Sequence, residues 1–190
     1  MACRHSSGRV LATLPELQTA RLTLRRLEFD DAPFLVGLLN QPSFLANIGD
    51  RGVRNIDDAH RYLREGPMAM YEKYGFGLWH VSRRSDGAAV GMCGLLRREI
   101  LPDVDVGYAL LPQYWGQGYA FEAADATLRH AAKKFGLARV VAVVSEGNAG
   151  SIRVLEKSGM VPEGVFPNWF HFPNQSNVAK DCILFSLPRT

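Results

Sequence analysis

The chain has 190 residues, 47% of them hydrophobic and 22% charged, which is the composition of one soluble globular domain and not of a disordered or fibrous protein. Its 22 basic and 19 acidic residues are mixed along the sequence and sum to a formal charge of +3, so they do not predict the basic face of a nucleic-acid-binding protein. Because the 3 cysteines lack metal-ligand spacing and no apolar run reaches the roughly 18 residues of a membrane span, we expect a cytoplasmic protein with neither a metal site nor a membrane partner.

The N-terminal half of the chain alternates strand-like and helix-like segments. Residues 1–18 predict an extension, and residues 19–190 predict a single domain. Apolar spacing and turn residues predict, in order, a strand over 21–27, a helix capped by Asp30 or Asp31, a helix from about Asp57 that Gly66-Pro67 interrupts, and a hairpin around Ser85-Asp86-Gly87. The interruption is expected because the proline ring obstructs a carbonyl group one turn upstream.

The C-terminal half continues the alternation of strands and helices. Its patterns predict a strand over 104–111, a helix from about 120 to 135, a strand over 139–145, a helix over 148–159, and two final strands joined by an aromatic loop over 167–181. The run 139–145 is nearly all β-branched, which is typical of a central strand covered on both faces.

One junction in this half carries chemical information, the stretch QYWGQGYA at residues 113–120. A strand, a glycine-bearing loop and a helix start bring several unpaired backbone N–H groups to one point, which is an anion-binding arrangement. Gly116 and Gly118 lack the Cβ atoms that would keep a phosphate away. The loop has no GK[ST] end, and position 121 is Phe121 rather than a third glycine, so neither a Walker loop nor a dinucleotide fingerprint is present. The plainer alternative is a tight strand-to-helix turn.

The order of these residues resembles a known family. Gln113, Gly116, Gly118 and Ala120 form a Q-x-x-G-x-G-x-A pattern that is similar to the acetyl-coenzyme A signature of the GNAT superfamily of N-acetyltransferases. A later N-x-x-S-x-x-V-L-E-K-S-G, residues 148–159, resembles the branch that acetylates the N-termini of ribosomal proteins. The resemblance implies an α+β fold in α/β/α layers, with a strongly bent mixed sheet of about six to seven strands and helices on both faces. Its two central parallel strands, here 104–110 and 139–145, would splay apart.

The resemblance also implies a set of cofactor-binding positions for acetyl-CoA. Backbone N–H groups from about Tyr114 to Tyr119 would hold the diphosphate, the strand edge near Tyr108 would pair with the pantetheine arm, and Asn148 would bond its amides. The positions it implies are Tyr108, Ala109, Leu110, Gln113, Tyr114, Trp115, Gly116, Gln117, Gly118, Tyr119, Ala120, Asn148 and Ser151. The implied reaction is direct attack of an amine on the thioester within a ternary complex, with a protein N-terminus as one candidate acceptor.

Two residues are expected to move protons. Asp105 matches an acidic position of the related enzymes and would act as a base through water, although an ion-pair role is an equal alternative and Asp103 competes with it. His80 and His171 are rival bases because histidine titrates near neutrality, although His80 is also typical of a core or edge histidine and His171 of an acceptor-pocket residue. Many family members carry a tyrosine acid near position 155 or 156. This chain has Leu155 and Glu156 there, so Ser151 is the nearest substitute.

The acceptor is not determined by these motifs, because one fold serves many amines. The segments expected to shape its pocket are 41–75 and 166–180. Besides a protein N-terminus, a small-molecule amine remains open as acceptor, and a non-catalytic acyl-CoA-binding module is the alternative from another class. The chain is expected to be a monomer or a homodimer, with acetyl-CoA and an amine as its partners and no nucleic acid.

Overall fold

A computed structural model describes residues 17–171 and 179–187, and within these ranges eight strands form one mixed β-sheet. The strands are β1 (Leu17–Gln18), β2 (Leu22–Arg26), β3 (Leu78–Arg83), β4 (Ala89–Leu96), β5 (Val104–Leu110), β6 (Val140–Ser145), β7 (Val161–His171) and β8 (Ala179–Ser186). The helices are α1 (Ala32–Leu39), α2 (Pro42–Asn47), α3 (Ile56–Leu63), α4 (Ala69–Tyr74), α5 (Tyr119–Phe135) and α6 (Ala149–Lys157).

The sheet has the strand order β1-β2-β3-β4-β5-β6-β8-β7, and its one parallel pair in the described residues lies at the centre. β5 and β6 are joined only at Val104↔Val140 and Asp105↔Val141. Beyond these two pairs, β5 continues to Leu110 and β6 to Ser145, but they no longer pair with each other, so the two strands diverge. The splayed central strands expected from the sequence are therefore confirmed.

Helices cover both faces of the sheet. On one face, α1 and α3 bury an apolar cluster against β3, β4 and β5; it includes Leu35, Leu39, Leu63, Leu78 and Met92. On the other face, α5 and α6 pack on the central strands through a cluster that includes Leu128, Ala131, Leu155, Val140 and Phe185. The helices on the two faces shield the apolar side chains of the central strands from water. This shielding explains why strands as hydrophobic as β6 are stable at the centre of the sheet.

Most predicted elements are present, and the departures have physical causes. Pro67 does not end the second helix, because the chain widens into a π-helical turn over Arg64–Met68 that leads from α3 into α4. α2 occupies part of the turn-rich segment 41–52, and β1 pairs with β2 where only an extension was expected. The predicted aromatic loop over 167–181 was too long, because β7 and β8 pair as far as His171↔Ala179. Residues 172–178 lie outside the described ranges.

Candidate active site

The glycine loop ends β5 and begins α5. A short 3₁₀ turn, Pro112–Tyr114, uses the N–H groups of Tyr114 and Trp115, which donate to Leu111 O (3.0 Å) and Pro112 O (3.1 Å). The first backbone bond of α5 runs from Glu122 N to Gly118 O (3.1 Å). The N–H groups at positions 116–121 therefore have no backbone acceptor among the described residues. The expected donor set is corrected accordingly: it begins at Gly116, because the N–H groups at 114 and 115 are already bonded.

Both glycines have left-handed backbone conformations, with φ of 72° at Gly116 and 80° at Gly118. Other residues rarely adopt such angles, so the loop depends on glycine at these positions. A Cβ added at Gly116 would meet no described protein atom within 4 Å, whereas one at Gly118 would lie 3.3 Å from Arg21 Nη2. The space beside Gly116 is thus open to a ligand.

An ion pair between Arg21, just before β2, and Glu122 in the first turn of α5 supports the glycine loop. The Nε of Arg21 pairs with Glu122 Oε2 at 2.7 Å, and its Nη1 donates to Gln117 O at 3.0 Å. The guanidinium lies 4.5 Å from the ring centroid of Tyr119. This ion pair could not be predicted from the sequence, because its two residues lie about a hundred positions apart and no local pattern links them. Within the loop, Gln117 Nε2 donates to Gln113 O at 3.0 Å, which holds the predicted first residue of the motif against the turn.

The open edge of β5 faces the gap between the central strands. Leu111 N donates to Val90 O (2.9 Å), and Ala109 is registered with Met92, so the backbone groups of these odd-numbered residues point to β4. Since the direction alternates along a strand, the backbone groups of Val106, Tyr108 and Leu110 point to the gap. The expectation that the main chain of Ala109 pairs with the cofactor is corrected, because only its methyl group is available. Leu110 O already accepts from Trp115 Nε1 (2.9 Å).

A cavity of about 1110 Å³ runs through this gap. The glycine loop, the diverging ends of β5 and β6, the start of α6, and parts of the segment 41–70 line it. Free N–H groups, open space at Gly116 and an unpaired strand edge are the features that a diphosphate joined to an amide-containing arm requires. The residues present therefore fit acetyl-CoA.

Helix α6 contributes polar groups from its first turn. Asn148 caps the helix, and its Oδ1 accepts from Ser151 N at 3.1 Å, which leaves its amide NH₂ group to face the cavity. The Ser151 hydroxyl makes no hydrogen bond with a described residue. Tyr108 donates its hydroxyl to Ser151 O (3.1 Å), and burial raises the pKa of this phenol. Leu155 is 2% exposed and belongs to the core, so no tyrosine-like acid occupies that position.

Asp105 lies where β5 and β6 begin to separate and is only 1% exposed. Burial raises the pKa of its carboxyl group to about 6, while the charge of Arg98, whose Nε lies 3.1 Å from Oδ2, acts to lower it. The rival Asp103 is paired with Arg139 at 3.2 Å. His80 Nε2 lies 4.0 Å from Asp31 Oδ1, and neither His80 nor Asp105 is itself among the cavity-lining residues; Asp105 directly precedes Val106, which does line the cavity. The side chain of His171 lies outside the described residues.

The described ranges offer no site for metal, membrane or thiolate chemistry. Among residues 17–171 and 179–187, no group of three or more His, Cys, Asp or Glu side chains is arranged to hold a metal ion. Across the described part of the chain, no helix has the length and apolar character needed to cross a membrane. Cys93 and Cys182 are buried free thiols, and burial raises the pKa of Cys93 to about 12, so its thiolate is not formed at neutral pH.

Comparison with known proteins identifies the same region. Residues 21–161 match the family model described as an acetyltransferase (GNAT) domain. YkkB of Bacillus subtilis strain 168 is 30% identical over 157 residues, which are 81% of this chain and 90% of that protein. A GNAT-family acetyltransferase from Bacillus anthracis has a similar structure (TM-score 0.76, 24% identity, 92% of this chain and 99% of that one). RimL, a ribosomal L7/L12 alpha-N-protein acetyltransferase solved in complex with coenzyme A, shares the fold with a TM-score of 0.77 at 16% identity, over 90% of this chain and 97% of that one.

Proposed function

The chain belongs to the GNAT acetyltransferase family and uses acetyl-CoA, and from this premise we propose that it acetylates a primary α-amine by direct attack within a ternary complex. An N-terminal amine of a protein and the amine of a small molecule are both acceptors of this chemical type. The observation that supports the proposal is the position of Asp105, a buried carboxylate with a pKa of about 6 that lies where the two cavity-lining strands separate.

The pKa of Asp105 favours an α-amine over a lysine side chain. An α-amino group has a pKa near 8, so about a tenth of it is neutral at pH 7, whereas a lysine amine near 10.4 is neutral only about once in a few thousand molecules. A base with a pKa of about 6 is ionised at neutral pH and is strong enough to accept a proton from an α-amine as it reacts. Because Asp105 is only 1% exposed, the proton would reach it through a water molecule.

The remaining residues of the candidate site would bind and orient acetyl-CoA. Bound acetyl-CoA supplies the acetyl group as a reactive thioester. The N–H groups at 116–121, at the positive end of α5, would bind the diphosphate. The gap-facing backbone of Tyr108 would align the pantetheine arm and place an N–H donor at the carbonyl oxygen of the acetyl group. Asn148 would donate its amide NH₂ group to the same arm.

The leaving sulfur would take its proton from Ser151, which would receive one from a water molecule in the same step, so that no alkoxide is left behind. The Ser151 hydroxyl lies at the first turn of α6, on the cavity wall, and is not engaged by any described residue. The hydroxyl of Tyr108 donates a hydrogen bond to Ser151 O, and this bond holds the first turn of α6 against β5. A thiol with a reference pKa of about 8.5 needs only modest help to leave as a neutral group.

The proposal is tested by following free thiol release from acetyl-CoA with a panel of N-terminal peptides, free amino acids and small amines. Turnover of α-amines, with lysine side-chain amines slower by at least about 10-fold at neutral pH, is expected. Turnover of lysine-type amines alone would contradict the α-amine assignment. Tight acetyl-CoA binding without turnover of any panel member would support the alternative of a non-catalytic acyl-CoA-binding module.

A further inference from the structure

The part of the cavity away from the glycine loop, which we call the acceptor arm, is lined by residues that include Asn47, Arg51, Tyr62, Arg98 and Glu99. These residues come from α2, the α2–α3 connection, α3 and the segment after β4. The acceptor arm thus brings two guanidinium groups to the side of the cavity where the strand pair carries Asp105. This is an unusual environment for an enzyme whose acceptor is an amine, because an ammonium group is repelled by positive charge.

Arg51 has no acidic partner among the described residues. It makes no hydrogen bond or ion pair with any residue in the described ranges, and its pKa is lowered by burial and by the charge of Arg98. Three acidic residues line a second pocket together with Arg51: Asp50 pairs with Arg54, Asp58 pairs with Arg61, and Glu65 forms no ion pair with Arg51.

Arg98 is in a different position, because its Nε pairs with Asp105. The charge of Arg98 is therefore balanced by Asp105, which is ionised above its pKa of about 6. Glu99 also lines the cavity but forms no ion pair with Arg51, so within the described ranges the charge of Arg51 has no carboxylate paired with it. A guanidinium stays charged even when partly buried, so Arg51 remains a cation at neutral pH.

We propose that the acceptor of this enzyme carries a carboxylate close to its reactive amine, and that Arg51 binds this carboxylate. The proposal rests on the proposed function and specifies its substrate class. A carboxylate next to the amine makes the acceptor neutral overall, which removes the repulsion. It also matches the planar, two-pronged donor geometry of a guanidinium. The carboxylate has two possible sources, the α-carboxylate of a free amino acid or an acidic side chain near a peptide N-terminus.

The experiment uses two pairs of acceptors that differ in the carboxylate. Rates are expressed per neutral amine, because the carboxylate of glycine raises the pKa of its amine above that of glycinamide. Glycine against glycinamide tests the free amino acid, and the peptide amide Ser-Asp-Gly against Ser-Asn-Gly tests the acidic side chain. For each pair, kcat/KM is measured with saturating acetyl-CoA for the wild type, Arg51→Gln, Arg51→Lys and Arg54→Gln. Arg54 is the matched control because it is exposed, pairs with Asp50 and does not line the cavity. Unchanged acetyl-CoA affinity in each variant shows that the fold is intact.

The wild type is expected to prefer the carboxylate member of one pair by about 10-fold or more, and Arg51→Gln is expected to reduce this preference to below about 3-fold. Arg51→Lys should retain part of the preference, and Arg54→Gln should leave it unchanged. The pair that shows the preference identifies the source of the carboxylate. Equal rates for both members of both pairs in the wild type would overturn the proposal, and so would an equal loss in Arg51→Gln and Arg54→Gln.

Calorimetry separates this inference from the proposed function. N-acetylglycine and N-acetylglycinamide are titrated into the complex with coenzyme A, which requires no turnover. If no acceptor is acetylated, the proposed function fails, and the carboxylate site is still judged by this binding. Selective binding of N-acetylglycine that Arg51→Gln abolishes would support the site. Equal or absent binding of both compounds by the wild type, in an enzyme that also shows no preference in turnover, would refute it.

Discussion

Replacing Gly116 by alanine tests whether the glycine loop binds the diphosphate of acetyl-CoA. The added Cβ meets no described protein atom within 4 Å, so the protein itself has room for it. The backbone at φ 72° costs an alanine about 1–2 kcal/mol, of which roughly 0.4–1 kcal/mol is offset by the smaller entropy of the unfolded chain. A net cost near 1 kcal/mol lowers Tm by about 2–4 °C in a domain of this size.

Gly136 provides a matched control at the other end of the same helix. Its φ is 61°, and a Cβ there also meets no described atom within 4 Å. Gly136→Ala should therefore lower Tm by a similar amount without touching the loop. Only Gly116→Ala should weaken coenzyme A binding, because its methyl group occupies the space in front of the free N–H groups.

The expected loss of coenzyme A affinity follows from the strength of the hydrogen bonds to its diphosphate. One charge-assisted hydrogen bond contributes about 1.5–3 kcal/mol, so the loss of one corresponds to a roughly 10- to 150-fold increase in Kd. The assay is calorimetric titration of coenzyme A, with Tm measured on the same samples. A Kd within about 2-fold of the wild type for Gly116→Ala would refute the diphosphate assignment. Equal losses in both variants would show that helix strain, and not the loop, controls binding.

Three further predictions concern proton transfer and the loop support. Asp105 must be ionised to accept a proton, so wild-type kcat/KM should fall as the pH falls through about 6; Asp105→Asn should remove this limb and lower the rate about 100-fold or more, with an unchanged Kd for coenzyme A. Ser151→Ala should lower kcat about 10- to 100-fold, again without loss of coenzyme A affinity. Glu122 has a lowered pKa; burial alone would raise it, but its bonds to Thr19 and Arg21 outweigh burial. The stability that Glu122 contributes is thus present above its unfolded pKa and lost as the pH falls below it. Glu122→Gln should lower Tm at pH 7, and this difference should vanish in acid.

Each of these predictions has a result that contradicts it. A pH profile with the same acidic limb in Asp105→Asn would assign that limb to another group. An unchanged kcat in Ser151→Ala would show that the leaving sulfur does not take its proton from Ser151. A Tm difference for Glu122→Gln that is the same at every pH down to acid unfolding would show that packing, and not the charge paired with Arg21, is what the substitution removes.

The elements that could be predicted are those whose signals are local. Ala124, Leu128 and Ala131 share one helix face, and they are buried on α5 as their spacing requires. Gly136 ends that helix in a left-handed conformation. The ends of β7 and β8 were missed because antiparallel pairing extends the strands through residues that favour loops, a gain that depends on the partner strand.

In the candidate site, the predictable parts were again local. Asn148 caps α6 because an asparagine side chain can accept a bond from the N–H three residues ahead. The pairings Arg21–Glu122 and Arg98–Asp105 had no sequence signal, and neither did the lack of an ion pair for Arg51 within the described residues. Residues that are distant in the chain, or that lie on different elements, meet only through the packing of the whole sheet.

The sequence by itself determined the order of strands and helices, the glycine loop and the family, because periodicity, caps and turn residues act over a few positions. Only the tertiary structure decided which N–H groups stay free, which edge of β5 opens to the cavity, and that a buried carboxylate reaches a pKa of about 6. These properties depend on desolvation and on electrostatic interactions between distant segments, and neither exists until the chain has folded.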